Sequence, residues 1–346
     1  MTQNHIQSFF KYSLTDSEQA AITEFCNSSD YCAIEQYPGW FPLFFNAKLC
    51  YYYLQEEQGL MAYCLIIESH GFATIEFGPV SRNANTTISA IRDIVRYYKS
   101  KRYLYLGIQL PHKAGYDTDY IEYQLNKLFK IQYRFDNRST KSSLEIDLVQ
   151  SMEEILRDFR KGHKSDIKKA QRLGMIVEEA ASRDDLEAFA GIYQKMCAAR
   201  KINEDEINDR NIFKISGFLS SQGKGYILIV KNADQRILGG IILVNQGNTL
   251  RYFKGASDPG HRDSPVLHIA LYEAIKKAQL DGFRYFDFWG INHFAGEEDQ
   301  AAAINRFKKG FGGYLTFFAK RMHVALVPFG FELFRMSITA RNLLKK

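Results

Sequence analysis

The feature that most constrains this chain is an order of elements that occurs twice. CYYYLQ, the turn-like EEQG and LMAYCLIIES read as two hairpin strands, rich in aromatic and β-branched residues on either side of a polar break. FATIEFGPV follows as a third strand. Residues 85–102 then set Ile88, Ile91, Val95 and Tyr98 at helical spacing, with Lys and Arg closing the last turn. YLYLGIQL supplies a fourth strand. The second half repeats this order. YILIVKN, the turn ADQR and ILGGIILVN read as a hairpin, and TLRYFKGAS as the next strand. A helix starts near Ser264-Pro265, a cap residue followed by a proline whose missing N–H costs nothing there. It ends at Gly282, and FRYFDFWGI is the last strand. Each half is β-β-β-α-β, with the helix crossing over so that the final strand pairs in parallel within a mixed sheet.

A length of 346 residues also exceeds what one core usually serves. The expectation is an α/β (α+β) protein of two lobes. The first spans 1–145. The second spans 146–346 and includes a helical connector and the C-terminal tail. In the connector, SSLEIDL reads as a strand, and Ser151 with Glu154 forms a capping box opening a helix. Ile155, Leu156, Phe159, Ile167, Ala170 and Leu173 give its apolar stripe, and Gly162 is placed to kink it. Residues 157–172 hold seven basic side chains (Arg157, Arg160, Lys161, Lys164, Lys168, Lys169, Arg172) against Asp158 and Asp166, a local charge of +5. A further helix runs from Asp184 to about Arg200.

Charge and cysteine usage narrow the setting. The formal net charge is +6, which suits a phosphate-bearing substrate without by itself indicating nucleic acid. Five scattered cysteines, without a C-x-x-C pair, read as reduced thiols. The first residues lack a basic, apolar leader, and no window approaches the ~20 apolar residues that span a bilayer. A cytoplasmic protein is expected. The mixed apolar and basic C-terminus, VALVPFGFELF then RMSITARNLLKK, reads as a docked helix, with peripheral contact at the inner membrane as the alternative. The eight histidines show no metal-ligand spacing, so no metal is expected.

Several segments together resemble the FemABX peptidyltransferases and their compact acyltransferase relatives. They are IEFGPV (75–80), SLEIDL with ILRDFRKGHKSDIKKAQRLGMIVEE, RYFKGAS (251–257), YEAIKKAQLDGFRYFDFWGI (272–291) and RFKKGFGG (306–313), in that order. The resemblance covers nearly the whole chain. It implies two lobes of the GNAT fold. It also implies transfer of an amino acid from aminoacyl-tRNA to an amine on a lipid- or nucleotide-linked glycan precursor, or acyl transfer by the acyltransferase relatives. Residues 191–224 are too few for the coiled-coil arm of some members, so the armless type is the better comparison.

The resemblance also points to residues. It places Phe307 and Lys308 at the reacting centre, where a fixed ammonium stabilises the oxyanion formed when an amine attacks an ester or thioester. The residues alone also fit a solvated basic turn. Arg200 matches an arginine that holds substrate phosphate, a role suited to its bidentate fork, and it equally fits a helix-terminal arginine complementing the dipole. Tyr252 matches a cleft tyrosine, or is an ordinary half-buried strand residue. Lys48 is matched to a phosphate ligand of the first lobe. Asp287, at a strand end, either takes a proton from the attacking amine or, the favoured reading, braces Trp289 or a turn.

No cofactor is expected: the donor would be aminoacyl-tRNA or, alternatively, acyl-CoA. Coenzyme A binding in the second lobe is disfavoured because SDPGHRDSP stands where a glycine-rich pyrophosphate turn would precede the helix. A non-catalytic module gripping tRNA phosphates through 157–172 is the remaining alternative.

Overall fold

The computed structural model describes residues 6–29, 32–111, 117–133, 142–201, 207–292, 295–296, 300–329, 332 and 336. In chain order the first elements are β1 (Gln7–Lys11), α1 (Asp16–Asn27), β2 (Lys48–Glu56), β3 (Gly59–Ser69), β4 (Phe72–Ile75) and β5 (Val80–Ser81). They are followed by α2 (Ala84–Ser100), β6 (Tyr105–Ile108), α3 (Thr118–Leu128) and β7 (Ile131–Tyr133). Next come β8 (Ser142–Asp147), α4 (Met152–Asp158), α5 (Lys161–Arg172), β9 (Ile176–Glu179), α6 (Arg183–Arg200) and α7 (Ile212–Ser221). Then follow β10 (Gly225–Lys231), β11 (Ile237–Gln246), β12 (Thr249–Ser257), α8 (Val266–Leu280) and β13 (Tyr285–Asp287). The series closes with α9 (Gln300–Lys309), β14 (Tyr314–Phe317) and β15 (Met322–Ala325).

The doubled pattern is present in both halves. β2, β3 and β4 pair antiparallel, α2 crosses over, and β6 returns parallel to β4. β10, β11 and β12 do the same, and β13 lies parallel to β12 after α8. Each crossover helix is held by its apolar face. Ile91, Val95 and Tyr98 of α2 are buried in one core, and Ile269, Ala270, Ala274 and Ile275 of α8 in another. Burying each of the larger side chains contributes roughly 1.5–3 kcal/mol. Ser151 and Glu154 form the expected reciprocal cap, whereas α8 starts at Val266 with Pro265 in the cap position and no side-chain cap from Ser264.

The chain forms two compact units, Met1–Ser139 with Phe318–Lys346, and Thr140–Phe317. This differs from the expected division at 145/146 in two respects. β8 pairs with β13 and β14, so residues 142–147 belong to the second sheet. β15 pairs with β6 and β7 of the first sheet, so the chain after Phe317 returns to the first unit. The first sheet runs β1-β2-β3-β4-β6-β15-β7 with β5 on β3, and the second β14-β8-β13-β12-β11-β10-β9. The helices read as a connector are part of the second unit, where α5 packs on α8 and α6 on β11 and β12. The break between α4 and α5 falls at Phe159–Arg160, and Gly162 lies inside α5. Apart from Met336, residues 335–346 lie outside the described residues. Among the described residues no helix is long and apolar enough to cross a membrane.

Candidate functional site

In the second unit the parallel strands separate at a definite point. β12 and β13 pair from Thr249–Tyr285 to Arg251–Asp287, after which β12 continues through Ser257 without β13. β12 also bulges here: Leu243 faces Tyr252 and Ile242 faces Lys254, leaving Phe253 as the extra residue. Past Asp287 the chain makes a left-handed turn, with φ of +53° at Trp289 and +42° at Gly290. A tryptophan in that region costs about 1–3 kcal/mol, so its surroundings must hold it. The carboxylate of Asp287 accepts the Trp289 N–H at 2.7 Å and the Ser143 hydroxyl. Its other oxygen lies 3.5 Å from Arg251 Nε. The Arg251 guanidinium in turn lies 3.5 Å from the centre of the Trp289 ring. Both members of this ion pair are buried.

The turn presents two successive carbonyls to Lys308. Its Nζ donates to Trp289 O at 2.6 Å and to Gly290 O at 3.0 Å. The lysine is aimed from α9, which is pinned one turn earlier. Asn305 donates to Asn292 O at 2.6 Å and accepts from Asn292 N at 3.2 Å. Burial lowers the Lys308 pKa to about 8, with the Asp287 charge opposing that shift and Lys254 adding to it. Lys308 is therefore a poised, water-poor ammonium and not a solvated turn residue.

The other expected residues fall around it unequally. Tyr252 is buried, with Lys308 Nζ 5.9 Å from its ring centre. Burial pushes its hydroxyl up to about 12, and the charge of Arg200 works against that shift. Arg200 is exposed at the end of α6, which stops in a left-handed residue at Lys201. Asp287 is committed to Ser143, Trp289 and Arg251, which is the bracing role. The ring of Phe307 packs instead against His163 and His268, at 5.6 and 5.0 Å between centres, and its carbonyl contacts His163 Nε2 at 2.8 Å. Phe307 thus fixes α9 from behind. Burial lowers the pKa of His268 to about 4, so this cluster is neutral at neutral pH. Arg251, Ser143 and Asn305 were not picked out from the sequence. Nothing in a strand reading RYF marks its arginine as a buried ion-pair partner.

Lys48 belongs to the first unit, at the start of β2, where its Nζ lies 2.7 Å from Glu68. Glu68 is buried and also accepts the hydroxyls of Tyr103 (2.8 Å), Tyr98 (2.9 Å) and Tyr12 (3.0 Å). Despite the opposing cost of burial, Lys48 and these tyrosines hold its carboxyl below the ordinary value of 4.5. A depressed folded-state pKa means the contribution is complete above the unfolded value and disappears as pH falls through the folded one. Glu68→Gln is therefore expected to lower the unfolding temperature at pH 7 and to narrow its gap from wild type as pH drops below about 4.5. Lys48→Ala, removing an exposed side chain, should cost within about 1 kcal/mol. Melting curves between pH 3 and 7 check both, and identical pH dependence for Glu68→Gln and wild type would refute the first.

Comparison with known proteins agrees with this arrangement. Residues 157–309 match the acetyltransferase (GNAT) domain family. A stretch of 89 residues is 29% identical to the lipid II:glycine glycyltransferase of Staphylococcus haemolyticus, spanning 26% of this chain and 21% of that protein. The crystal structure of FemX superposes with a TM-score of 0.76 at 15% identity, over 95% of this chain and 99% of that one. L-PGS from Bacillus licheniformis gives 0.62 at 10%, over 96% and 97%. The fold is that of tandem GNAT proteins, and residues 157–309 are similar to the acetyltransferase (GNAT) domain family. The resemblance to the FemABX peptidyltransferases carried by the sequence motifs is supported by domain, relative and structure alike.

Proposed function

We propose that this protein transfers an acyl or aminoacyl group onto an amine of a phosphate-bearing cell-wall or lipid-linked precursor. The observation that carries this reading is the buried Lys308 ammonium, fixed by two carbonyls where the parallel strands part. Ligands of α/β sheets commonly bind beyond the carboxyl ends of such strands. An amine attacking an ester carbonyl forms a tetrahedral oxyanion. Collapse re-forms the carbonyl, expels the ester alkoxide, which takes up a proton, and releases a proton from the attacking nitrogen. Lys308 supplies the charge that stabilises the oxyanion. Tyr252 and Arg200 are assigned to substrate contact on the same side. Lys48, committed to Glu68 in the first unit, is retained as a phosphate contact only if substrate displaces that pair.

Aminoacyl-tRNA is favoured over acyl-CoA as donor by the segment that leads into α8. There the Asp258 carboxylate caps the short turn Pro259–His261, accepting the Gly260 N–H at 2.9 Å and facing Arg236 at 3.3 Å, and α8 itself starts behind Pro265, which has no N–H to offer. The backbone hydrogen bond from Gly260, with the charges of His261, Lys195 and Arg236, holds the carboxylate ionised. A pyrophosphate approaching that segment would meet a carboxylate and a proline where a cradle of N–H groups is needed. Incubating the protein with charged tRNAs and, separately, with acyl-CoAs, and following loss of the donor ester or thioester in the presence of amine acceptors, tests the reading. Consumption of aminoacyl-tRNA is expected. Turnover of acyl-CoA alone would replace the donor, and turnover of neither would remove the activity.

A further inference from the structure

The net charge of +6 is concentrated in one place. Residues 157–172 contribute seven basic and two acidic side chains, or +5, which leaves +1 for all the rest of the chain. The fold sets this segment against the helix that carries Lys308. Arg160 N donates to Gly310 O at 2.8 Å, and His163 meets Phe307 O. The approach is close, since a Cβ on Gly310 would lie 2.1 Å from the His163 ring. The exposed Arg306 and Lys309 of α9 therefore join Arg157, Arg160, Lys161 and Lys168 in one basic surface. Among the described residues, no ion pair engages any of these six.

We propose that this surface, the exposed face of α5 joined to the end of α9, docks the phosphate backbone of the RNA that carries the acyl donor. The proposal rests on the reading that the donor is an aminoacyl-tRNA. On α5, Lys161, Lys168 and Arg172 are exposed on one face, giving a stripe about 16 Å long at 1.5 Å per residue, while Lys164 between them is half-buried and donates to Arg157 O at 2.9 Å. A stripe of that length matches a run of phosphates and not a single anion. The first turn of α5 has no acidic residue and no side-chain cap, so the positive end of the helix adds to the field. The apolar residues of α5, Ile167 and Ala170, are buried. Apart from Leu173 at its C-terminal cap, which is exposed and so departs from the expected buried stripe, the helix presents no apolar side chain to a lipid surface and no aromatic platform for stacking bases. Phosphate contact without base reading is what remains. Such contact grips an acceptor arm whatever its base sequence.

The test uses unfractionated deacylated tRNA as probe, so that docking is read without chemistry. Fluorescence anisotropy against the full chain is measured across a salt series. Lys161→Glu/Lys168→Glu is expected to weaken binding by about tenfold or more and to lower the slope of log K against log salt by about one per lysine. Arg306→Glu, on the other helix, should weaken it independently. The charge-matched Arg92→Glu/Lys99→Glu, on the first unit, should leave affinity within about twofold. Equal losses from both double variants, or no measurable tRNA binding by the wild type, would overturn the surface. So would binding of phosphatidylglycerol vesicles that depends on Lys161 and Lys168 when tRNA binding does not. Donor consumption separates this proposal from the reading beneath it. If tRNA binds through these lysines and no aminoacyl ester is consumed, the surface stands and the transferase reading fails. If ester is consumed equally by wild type and Lys161→Glu/Lys168→Glu, the transferase stands and the surface fails.

Discussion

Lys308→Ala is expected to lower turnover by about a hundredfold or more while acceptor affinity changes little, because the interaction with the oxyanion exists mainly in the transition state. Lys309→Ala is the control, since its side chain shares the local charge but is exposed on α9. The wild-type pH profile gives a second readout. With a folded-state pKa of about 8, the ammonium is lost as pH rises through that value, and kcat/KM should fall with it. Stability moves the other way. Between about 8 and the ordinary value of 10.5 the unfolded chain binds a proton that the folded chain does not, so this group makes folding more favourable as pH rises. Falling activity without a falling melting temperature therefore marks titration at Lys308 and not alkaline unfolding. Equal, small effects of Lys308→Ala and Lys309→Ala on turnover would show Lys308 to be a structural side chain that only holds the Trp289–Gly290 turn. Loss of acceptor affinity at unchanged turnover would make Lys308 a phosphate ligand.

Asp287→Ala carries the largest expected effect on stability. It removes the Asp287 carboxylate that pairs with Arg251, which is 2% exposed, and breaking one side of a buried pair costs about 3–5 kcal/mol. It also removes the acceptor that holds Trp289 in its left-handed conformation, so the two carbonyls facing Lys308 lose their support. Arg251→Met/Asp287→Asn removes both charges and keeps an acceptor for the Trp289 N–H. The double variant should be less destabilised than Asp287→Ala. Denaturant melts of the three proteins decide this. If Asp287→Ala costs less than about 1 kcal/mol, the bracing role assigned to the pair is wrong.

Local chemistry carried much of this structure openly. The alternation of strands, the spacing of Ile91, Val95 and Tyr98, and the capping pair Ser151 and Glu154 are each short-range signals, and each appears as read. What stayed hidden depends on partners distant in sequence. Residues 142–147 read as a strand, but nothing local says that its neighbours are β13 and β14. The three-residue β7 and the four-residue β15 are too short for periodicity to declare them. In the site, Lys308 was found through its motif, whereas its burial comes from Asn305, Asn292 and a strained tryptophan. The packing of Phe307 against His163 and His268 was hidden for the same reason, because adjacent residues on a helix point about 100° apart and meet different neighbours.

The return of β15 to the first sheet bears on how this protein is made. β15 lies between β6 and β7, and it is the element encoded last among the described strands. During synthesis the second unit, residues 140–317, is contiguous and has every strand of its sheet before β15 leaves the ribosome. The first unit begins the chain but keeps an unpaired β6 edge until residues 322–325 arrive. An open edge of this kind is a template for pairing with other chains. Its completion also waits on closing a loop that contains the whole second unit. The amino-terminal lobe is thus the last to be finished, and the interval before β15 docks is when the nascent protein is most exposed to misassembly.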